Sequence, residues 1–234
     1  MVKSKVRRTV TLVSCSLLLA VAAAATGATT ASASTTAPAA TQIPAAYSYV
    51  ANDNNNSVTE YARGASGDVA PVADISGSAT GLSGPEGVWV DASRGLFVTN
   101  FNGNSVTKYA SGASGDVAPI ADISGSATGL SGPVAVADAS GDLFVVNFNT
   151  NSLTEYASGA SGDVAPVADI SGSATGVSEP DGVAVDASGH VFVANFNSNS
   201  VTEYARGASG DVAPIADISG SATGLSGPAG VWVP

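Results

Sequence analysis

One phrase, GASGDVAPVADISGSATGLS, occurs four times in this chain with only Val/Ile and Leu/Val exchanges, and it constrains the fold more than any other feature. The copies begin at Gly64, Gly112, Gly159 and Gly207, a spacing of 47 or 48 residues. A fixed period of this length indicates one supersecondary unit repeated along the chain. Catalysis needs unlike groups that converge on one point, whereas identical repeats place like groups in a ring or a row. The repeat therefore favours a binding or structural role over an enzyme.

The first 33 residues read as a secretory signal peptide and not as part of the fold. A basic start is followed by an apolar stretch over residues 9–25 and by the small-residue site Ala31-Ser32-Ala33, so we expect cleavage after Ala33. A membrane-spanning helix is the less favoured alternative, because no charged stop-transfer flank follows. The box around Cys15 resembles a lipoprotein signal and Arg7-Arg8 a twin-arginine signal, but both matches are poor beyond these residues.

The composition of the mature protein limits its chemistry and its possible partners. Cys15 is the only cysteine, so cleavage would leave no disulfide and no thiol ligand. Four of the eight basic residues and none of the 19 acidic residues lie in the leader, so the net charge would move from −11 to −15. Such a charge disfavours nucleic acid and anionic membranes as partners. We expect a secreted protein, extracellular or associated with the cell wall, with residues 34–45 as a disordered linker and 46–234 as the folded domain.

Within one repeat the sequence predicts four short strands, at residues 87–90, 96–100, 105–109 and 119–123, separated by Gly, Asn and Asp turns. The fourth strand is predicted to open with a proline, which cannot donate to a ladder and so belongs at a sheet edge. Those prolines are Pro71, Pro119, Pro166 and Pro214. The pattern predicts an all-β fold, a β-propeller of about four four-stranded blades. A parallel β-solenoid is less favoured, because its coils are usually shorter and have no such edge.

The two ends of the domain predict a closed ring. Residues 47–52 align with the second strand of the repeat, and residues 230–233 align with the first strand. The segment 228–234 is therefore expected to complete the first blade, residues 46–84, by terminal-strand closure. The other blades are predicted at 85–132, 133–179 and 180–227.

The repeat resembles a known family. The pattern Gly-Pro-x-Gly-Val-x-Val-Asp-x-Ser-Gly-x-Val-Phe-Val-Ala-Asn, followed by Asn-Ser-Val-Thr-x-Tyr, is similar to NHL-type repeats and is seen best from Glu179 to Tyr204. The resemblance implies a propeller, usually of six blades, found in protein- and RNA-binding modules, kinase sensor domains, streptogramin lyase and gluconolactonase-like hydrolases. Function is not fixed by that fold. A count of four blades leaves open an unusual ring, a homodimer, or a fragment of a longer propeller.

A recurring Asn–Phe pair at the end of the second strand is the main candidate site. The amides are Asn52, Asn100, Asn147 and Asn195, and the aromatic rings are Phe101, Phe148 and Phe196, with Asp53 in the first blade. Each Asn is expected to cap its own turn. The alternative is a ring of amides and aromatics that binds a polar ligand such as a glycan. Trp89 and Trp232 are expected to fill the core, with ligand stacking as their lesser role.

Candidates for acid–base or metal chemistry are few. Glu86 and Asp181 precede the first strand of two blades and are weak calcium candidates, with amide or backbone oxygens needed as further ligands. A zinc site lacks ligands, and no cofactor is expected. His190, the only histidine, is expected to be a solvated turn residue and not a catalytic base.

The leading hypothesis is a secreted, non-enzymatic propeller that binds a protein or a carbohydrate, with no membrane partner after cleavage. The alternative is a lyase or lactonase-type hydrolase with a divalent ion at the channel mouth. A set of unlike polar groups on one face of the channel would discriminate between them.

Overall fold

A computed structural model describes residues 47–234. The predicted signal peptide and linker lie outside the described residues. The described part contains 15 strands in four antiparallel sheets, together with one short 3-10 turn at Asp53–Asn55. The all-β propeller architecture predicted from the repeat is confirmed.

The blades follow one another along the chain. Blade 1 consists of β1 (Tyr47–Asn52), β2 (Ser57–Ala62) and β3 (Ala73–Ser76). Blade 2 consists of β4 (Pro85–Val90), β5 (Leu96–Asn100), β6 (Ser105–Tyr109) and β7 (Ala121–Ser124). Blade 3 consists of β8 (Pro133–Ala139), β9 (Asp142–Asn147), β10 (Ser152–Tyr156) and β11 (Ala168–Ile170). Blade 4 consists of β12 (Pro180–Val185), β13 (Val191–Asn195), β14 (Ser200–Tyr204) and β15 (Ala216–Ile218).

Local chemistry sets the strand ends. Asp91 accepts a hydrogen bond of 2.7 Å from the Gly95 N–H and so tightens the turn between β4 and β5. The next turn ends at Asn104, whose φ of 49° lies in the left-handed region that asparagine tolerates. The predicted second and third strands agree with β5 and β6. The fourth strand, β7, starts at Ala121 and not at Pro119, although the Ile120 N–H already bonds the Lys108 carbonyl at 2.7 Å. The prolines therefore precede the outer strand.

The hydrophobic core lies between the blades. Three clusters fill the three junctions between neighbouring blades. Between blades 2 and 3, Val106 and Ile123 on one sheet pack against Leu143 and Val145 on the next. The first two strands of blades 2 and 3 are largely apolar on both faces, because each of these two sheets is covered by a neighbour on either side.

A tyrosine hydrogen bond ties each pair of neighbouring blades together. The Tyr156 hydroxyl, at the end of β10, donates to the Thr128 carbonyl in the connection from blade 2, at 2.5 Å. Tyr109 and Tyr204 make the same bond in the other two junctions. Burial raises the pKa of Tyr156 to about 12, so the hydroxyl remains a donor at neutral pH.

Backbone groups and a carboxylate complete each junction. The Asp163 carboxylate accepts from the Ala127 N–H at 2.7 Å, and the Gly162 N–H donates to the Asp122 carbonyl at 2.6 Å. The equivalent bonds recur at the junctions on either side. The GASGD loops of blades 2, 3 and 4 thus each bind to the preceding blade.

The predicted terminal closure is not observed. Among residues 47–234, β1 pairs with β2 alone, and residues 228–234 form no strand. A Cβ added at Gly182 in β12 would lie 2.6 Å from the Gly230 Cα. A Cβ added at Gly87 in β4 would likewise lie close to Ala135 of the next inner strand, β8. The final segment therefore stacks on β12 as an inner strand would, because this continues the blade-to-blade packing, and it does not complete blade 1.

Candidate functional site

The antiparallel strands give every blade two ends with different chemistry. We call the end with the turns after β5, β9 and β13 the aromatic face, since it carries Phe101, Phe148 and Phe196. We call the opposite end, with the turns after β4, β8 and β12, the acidic end, since it carries Asp91, Asp138 and Asp186.

The recurrent asparagines are structural in three of the four blades. Asn100, Asn147 and Asn195 are fully buried. The Asn100 amide group donates to Ser105 Oγ and Thr107 Oγ1, both at 3.2 Å, and its Oδ1 accepts from the Ser83 N–H at 3.1 Å. The buried amides link the third strand to the incoming connection, so the alternative, a ring of ligand-binding amides, does not form from them. Asn52 is half-buried and makes the same bonds to Ser57 and Thr59.

The phenylalanines lie at the aromatic face, partly exposed. The rings of Phe101 and Phe148, from neighbouring blades, have centroids 6.2 Å apart at an interplanar angle of 57°, a tilted arrangement typical of aromatic pairs. Both rings also pack against the core between blades 3 and 4. The exposed amides on this face are the residues that follow each ring, Asn102, Asn149 and Asn197. The repeated feature of this face is therefore a half-buried phenylalanine ring followed by an exposed asparagine.

The two tryptophans have different environments. Trp89 in β4 is half-buried against the cluster between blades 2 and 3, opposite Phe97. Trp232 in the terminal segment is 73% exposed. Core filling describes Trp89 but not Trp232.

The calcium candidates gain no further carboxylates. Glu86 in β4 and Asp181 in β12 are half-buried near the aromatic face. Among residues 47–234, no group of three or more His, Cys, Asp or Glu side chains is placed to hold a metal ion. Calcium binding through these two residues stays a prediction that would rest on backbone and amide oxygens.

The acidic end contains an ion pair that the sequence did not reveal. Lys108 Nζ lies 2.8 Å from Asp91 Oδ2 and 4.5 Å from the centroid of the Phe97 ring. Burial opposes ionisation of Asp91, but the hydrogen bonds from Lys108 and the Gly95 N–H outweigh it and lower the pKa of Asp91.

In the next blade burial raises the pKa of two carboxylates, Asp138 and Glu155, by more than the charges of Lys108 and Arg206 lower them. Burial raises the pKa of Asp138, and the nearby charges of Asp91 and Asp142 add to the effect. Burial, together with Asp142, also raises the pKa of Glu155, which stands where Lys108 stands in blade 2. Blade 3 thus holds carboxylates at a cost in free energy, because neither burial nor the neighbouring carboxylates favour the charged form.

His190 lies in the turn after β12, at the acidic end. Its Nδ1 is 3.4 Å from Asp186 Oδ2 and 3.3 Å from Glu203 Oε1. The His190 N–H also donates to Asp186 at 2.8 Å, and this bond is the main cause of the lowered pKa of Asp186. Asp181 is the second residue of the same strand, so His190 and Asp181 lie at opposite ends of the blade. The structure does not bring the histidine and the calcium candidates together.

Two pockets between neighbouring blades are small. One lies between blades 1 and 2 beside Tyr49 and Arg94, and another between blades 3 and 4 beside Phe144 and Ala208. Each has a cavity volume of about 10 Å³, which is room for roughly one water molecule. Small-molecule sites typically have about 300–1,000 Å³, so neither pocket is a substrate site. No helix in residues 47–234 is long and apolar enough to span a membrane.

Comparison with known proteins agrees with this architecture. Residues 178–204, which run from the end of one connection through β12 and β13 to the end of β14, match the NHL repeat family. One repeat of this β-propeller is therefore similar to the NHL repeat. No curated protein matches it significantly by sequence.

Solved structures similar to this propeller share its fold at low identity. A catalytically inactive histidine-to-alanine variant of virginiamycin B lyase from Staphylococcus aureus, solved with quinupristin, is 13% identical with a TM-score of 0.56, covering 80% of this chain and 56% of its own. The periplasmic gluconolactonase of Pseudomonas aeruginosa is 20% identical with a TM-score of 0.54, covering 78% and 52%. A protein from Lactobacillus plantarum is 14% identical with a TM-score of 0.58, covering 74% and 54%. The chain spans about half the length of these structures.

The residues that sequence reasoning missed are those of the junctions. Asp116, Asp163 and Asp211 are ordinary loop residues in the sequence pattern, yet each accepts a backbone N–H of the preceding blade. Their recurrence in every GASGD phrase was the available signal. The partner of each carboxylate is a backbone N–H of the preceding blade, so it can be identified only once the blades are placed side by side.

Proposed function

We propose that this protein is a secreted, non-enzymatic binding module whose binding surface is the aromatic face. The observation that carries the proposal is the tilted packing of Phe101 on Phe148, whose ring centroids are 6.2 Å apart. An exposed asparagine follows each of these rings in the sequence. Aromatic faces pack on apolar surfaces of a ligand while their surroundings remain wet, and amides both donate and accept hydrogen bonds. The same pair of groups repeats from blade to blade, which suits a ligand with repeating polar units, such as a polysaccharide.

The chemistry of the two ends supports binding over catalysis. The aromatic face repeats like groups, whereas catalysis requires unlike groups within reach of one reacting atom. The sole histidine lies at the acidic end, away from Glu86 and Asp181. The two pockets between blades are too small for a substrate.

The test is binding of the secreted protein to a panel of soluble polysaccharides, measured by calorimetry. The variant Asn102→Ala/Asn149→Ala/Asn197→Ala removes the exposed amides and should weaken binding at least about tenfold, since each lost hydrogen bond is worth roughly 0.5–1.5 kcal/mol. The matched control, Ser111→Ala/Ser158→Ala/Ser188→Ala, removes three exposed hydroxyls at the other end of the blades and should bind as the parent does. Equal affinity of the two triple variants for a bound polysaccharide would refute the assignment of the face. Binding to none of the panel while a protein ligand is captured through the same amides would place the module among protein binders.

The competing function is a lyase or lactonase, which the likeness to virginiamycin B lyase and gluconolactonase brings into consideration. Its support in this chain is His190, which contacts the carboxylates of Asp186 and Glu203. We expect no turnover of a streptogramin B or of an aldonolactone with added Mg²⁺ or Ca²⁺. Turnover that disappears in His190→Ala would establish the enzyme and overturn the binding proposal.

A further inference from the structure

Every junction between blades is built from the same two half-surfaces. The trailing half-surface belongs to the earlier blade and consists of its outer-strand isoleucine and the connection that follows. The leading half-surface belongs to the later blade and consists of the tyrosine at the end of the third strand and the loop that follows. Between blades 2 and 3 these are Ile123 and Thr128 on one side and Tyr156 and Asp163 on the other. In this fold, a trailing half-surface is covered by a leading one.

The trailing half-surface of blade 4 is formed but uncovered in the described part of the chain. Ile218 is 56% exposed, whereas its equivalents Ile75, Ile123 and Ile170 are 4%, 2% and 3% exposed. Thr223 is exposed where the equivalent threonines are fully buried. The local fold is nevertheless complete, since Thr223 Oγ1 donates to the Gly220 carbonyl at 2.8 Å, as Thr128 does to Gly125 at 2.9 Å.

The leading half-surface of blade 1 is also formed and uncovered. Val69 is 44% exposed, whereas its equivalents Val117, Val164 and Val212 pack against the junction clusters. The Tyr61 hydroxyl makes no hydrogen bond within residues 47–234, although the equivalent tyrosines all donate across a junction. The loop after β2 has the local bond of the later repeats, from the Ala65 N–H to the Ala62 carbonyl at 3.0 Å.

The inner strands show a matching pair of unfilled positions. Within residues 47–234, β1 has a strand partner on one side only, so in this part of the chain one edge presents unpaired backbone groups. The segment 228–234 stacks on β12 as an inner strand but has no strand partner in the described structure. Val88 pairs with Val98 and Trp89 with Phe97 between β4 and β5. By the same register Val231 would lie opposite Val50, and the exposed Trp232 opposite Tyr49.

We propose that these surfaces bind a second copy of this chain, head to tail. The trailing half-surface of blade 4 in one copy packs on the leading half-surface of blade 1 in its partner, and the terminal segment of the first copy supplies the missing inner strand of that blade. The same junction forms a second time with the roles exchanged, which gives a closed pair with two-fold symmetry. The chain spans 52–56% of the propellers on which it superposes, so a second copy supplies the part of the ring that one chain leaves open.

Charge predicts how this association depends on salt. Each mature copy would carry a net charge of −15, so two copies repel one another at low ionic strength. The contacts of the junction are apolar side chains and neutral hydrogen bonds, with one carboxylate that accepts a backbone N–H. Added salt should therefore strengthen the dimer, because it screens the repulsion without weakening an ion pair.

The test is the mass of the secreted protein in solution, by light scattering and by sedimentation over a range of concentrations. We expect a dimer, with a dissociation constant that falls as salt rises from about 50 to 500 mM. A monomer at every concentration would overturn the proposal. Open-ended polymers would overturn the closed pair, since a head-to-tail contact that does not close produces filaments.

Two substitutions separate this junction from other contacts. Ile218→Asp places a charge in the proposed interface and should give a monomer with an unchanged far-ultraviolet spectrum, because the side chain is exposed within one chain. The matched control is Ile215→Asp, since Ile215 is equally exposed, at 57%, but its equivalents in the other blades are also exposed. The control should remain dimeric. Dissociation by both substitutions, or by neither, would overturn the location of the interface.

A third variant tests the other half-surface. Tyr61→Phe removes the hydroxyl that would donate to the Thr223 carbonyl of the partner subunit and should raise the dissociation constant about tenfold. The thermal midpoint of the isolated chain, measured at a concentration below the dissociation constant, should not change. A dissociation constant equal to that of the parent would contradict the proposed pairing.

Discussion

The substitution Tyr156→Phe tests how the blades are held together. It keeps the ring that fills the junction between blades 2 and 3 and deletes the hydroxyl that bonds the Thr128 carbonyl at 2.5 Å. Both groups are fully buried, so the carbonyl would lose its partner without gaining water. An orphaned buried acceptor costs about 1–3 kcal/mol. For a folded domain of this size that corresponds to a fall in Tm of roughly 2–12 °C.

The assay is reversible thermal or urea unfolding at pH 7 and a fixed protein concentration, with the free energy of unfolding taken from a two-state fit. The control is Tyr47→Phe, because Tyr47 is partly exposed and its hydroxyl makes no hydrogen bond within the described residues. The control should change the free energy of unfolding by less than about 0.5 kcal/mol. If Tyr156→Phe is as stable as this control, the tyrosine bond does not stabilise the junction and the reasoning fails.

The pH dependence gives a second check on the same substitution. Burial raises the pKa of Tyr156 to about 12 in the folded protein, from an ordinary value of 10.0. The stabilisation from the neutral hydroxyl is therefore present in full below pH 10 and is lost as the pH rises from 10 towards 12. The stability difference between the parent and Tyr156→Phe should be constant at neutral pH and should shrink over that alkaline window.

Three further predictions concern other parts of the molecule. Asp138→Asn should stabilise the protein at pH 7, because burial raises the pKa of Asp138 and disfavours its charge; the gain should vanish below about pH 4, where the acid is neutral in both states, as urea titrations at several pH values would show. A calcium chelator should leave the Tm unchanged within a degree or two, and a large loss of Tm that added calcium restores would establish a metal-dependent fold. We propose that secretion removes residues 1–33, so mass spectrometry of the secreted protein should find Ser34 at the N-terminus, whereas a lipid on Cys15 would contradict this export route.

Much of the architecture could be predicted from the sequence, because the same turn and strand patterns recur in successive repeats. Turn residues at fixed positions and strands with alternating or fully apolar patterns are determined by neighbours along the chain. β5 and β6 therefore begin and end where the pattern predicts. The start of the outer strand was predicted two residues too early. Pro119 has no N–H to donate, the first bond to the neighbouring strand comes from the Ile120 N–H, and the regular strand begins at Ala121.

The candidate site was harder to predict, because exposure depends on what lies beside a residue in space. The recurrence of Asn100, Asn147 and Asn195 fitted both a turn cap and a ligand-binding ring. The structure shows them buried, with their amides bonded to the third strand and to the incoming connection. The phenylalanines that follow remain partly exposed, although their sequence signal was no stronger.

The sequence by itself determined the repeat, the strands and turns within it, the all-β propeller class and the low content of catalytic groups, since all of these depend on local pattern and composition. Only the tertiary structure decided how the blades meet. The hydrogen bonds of the tyrosines and aspartates join residues from different repeats, and the terminal segment stacks on β12 instead of completing blade 1. Whether a ring closes is set by the rotation between successive blades. That rotation comes from side-chain packing across each junction, which a repeat pattern alone does not encode.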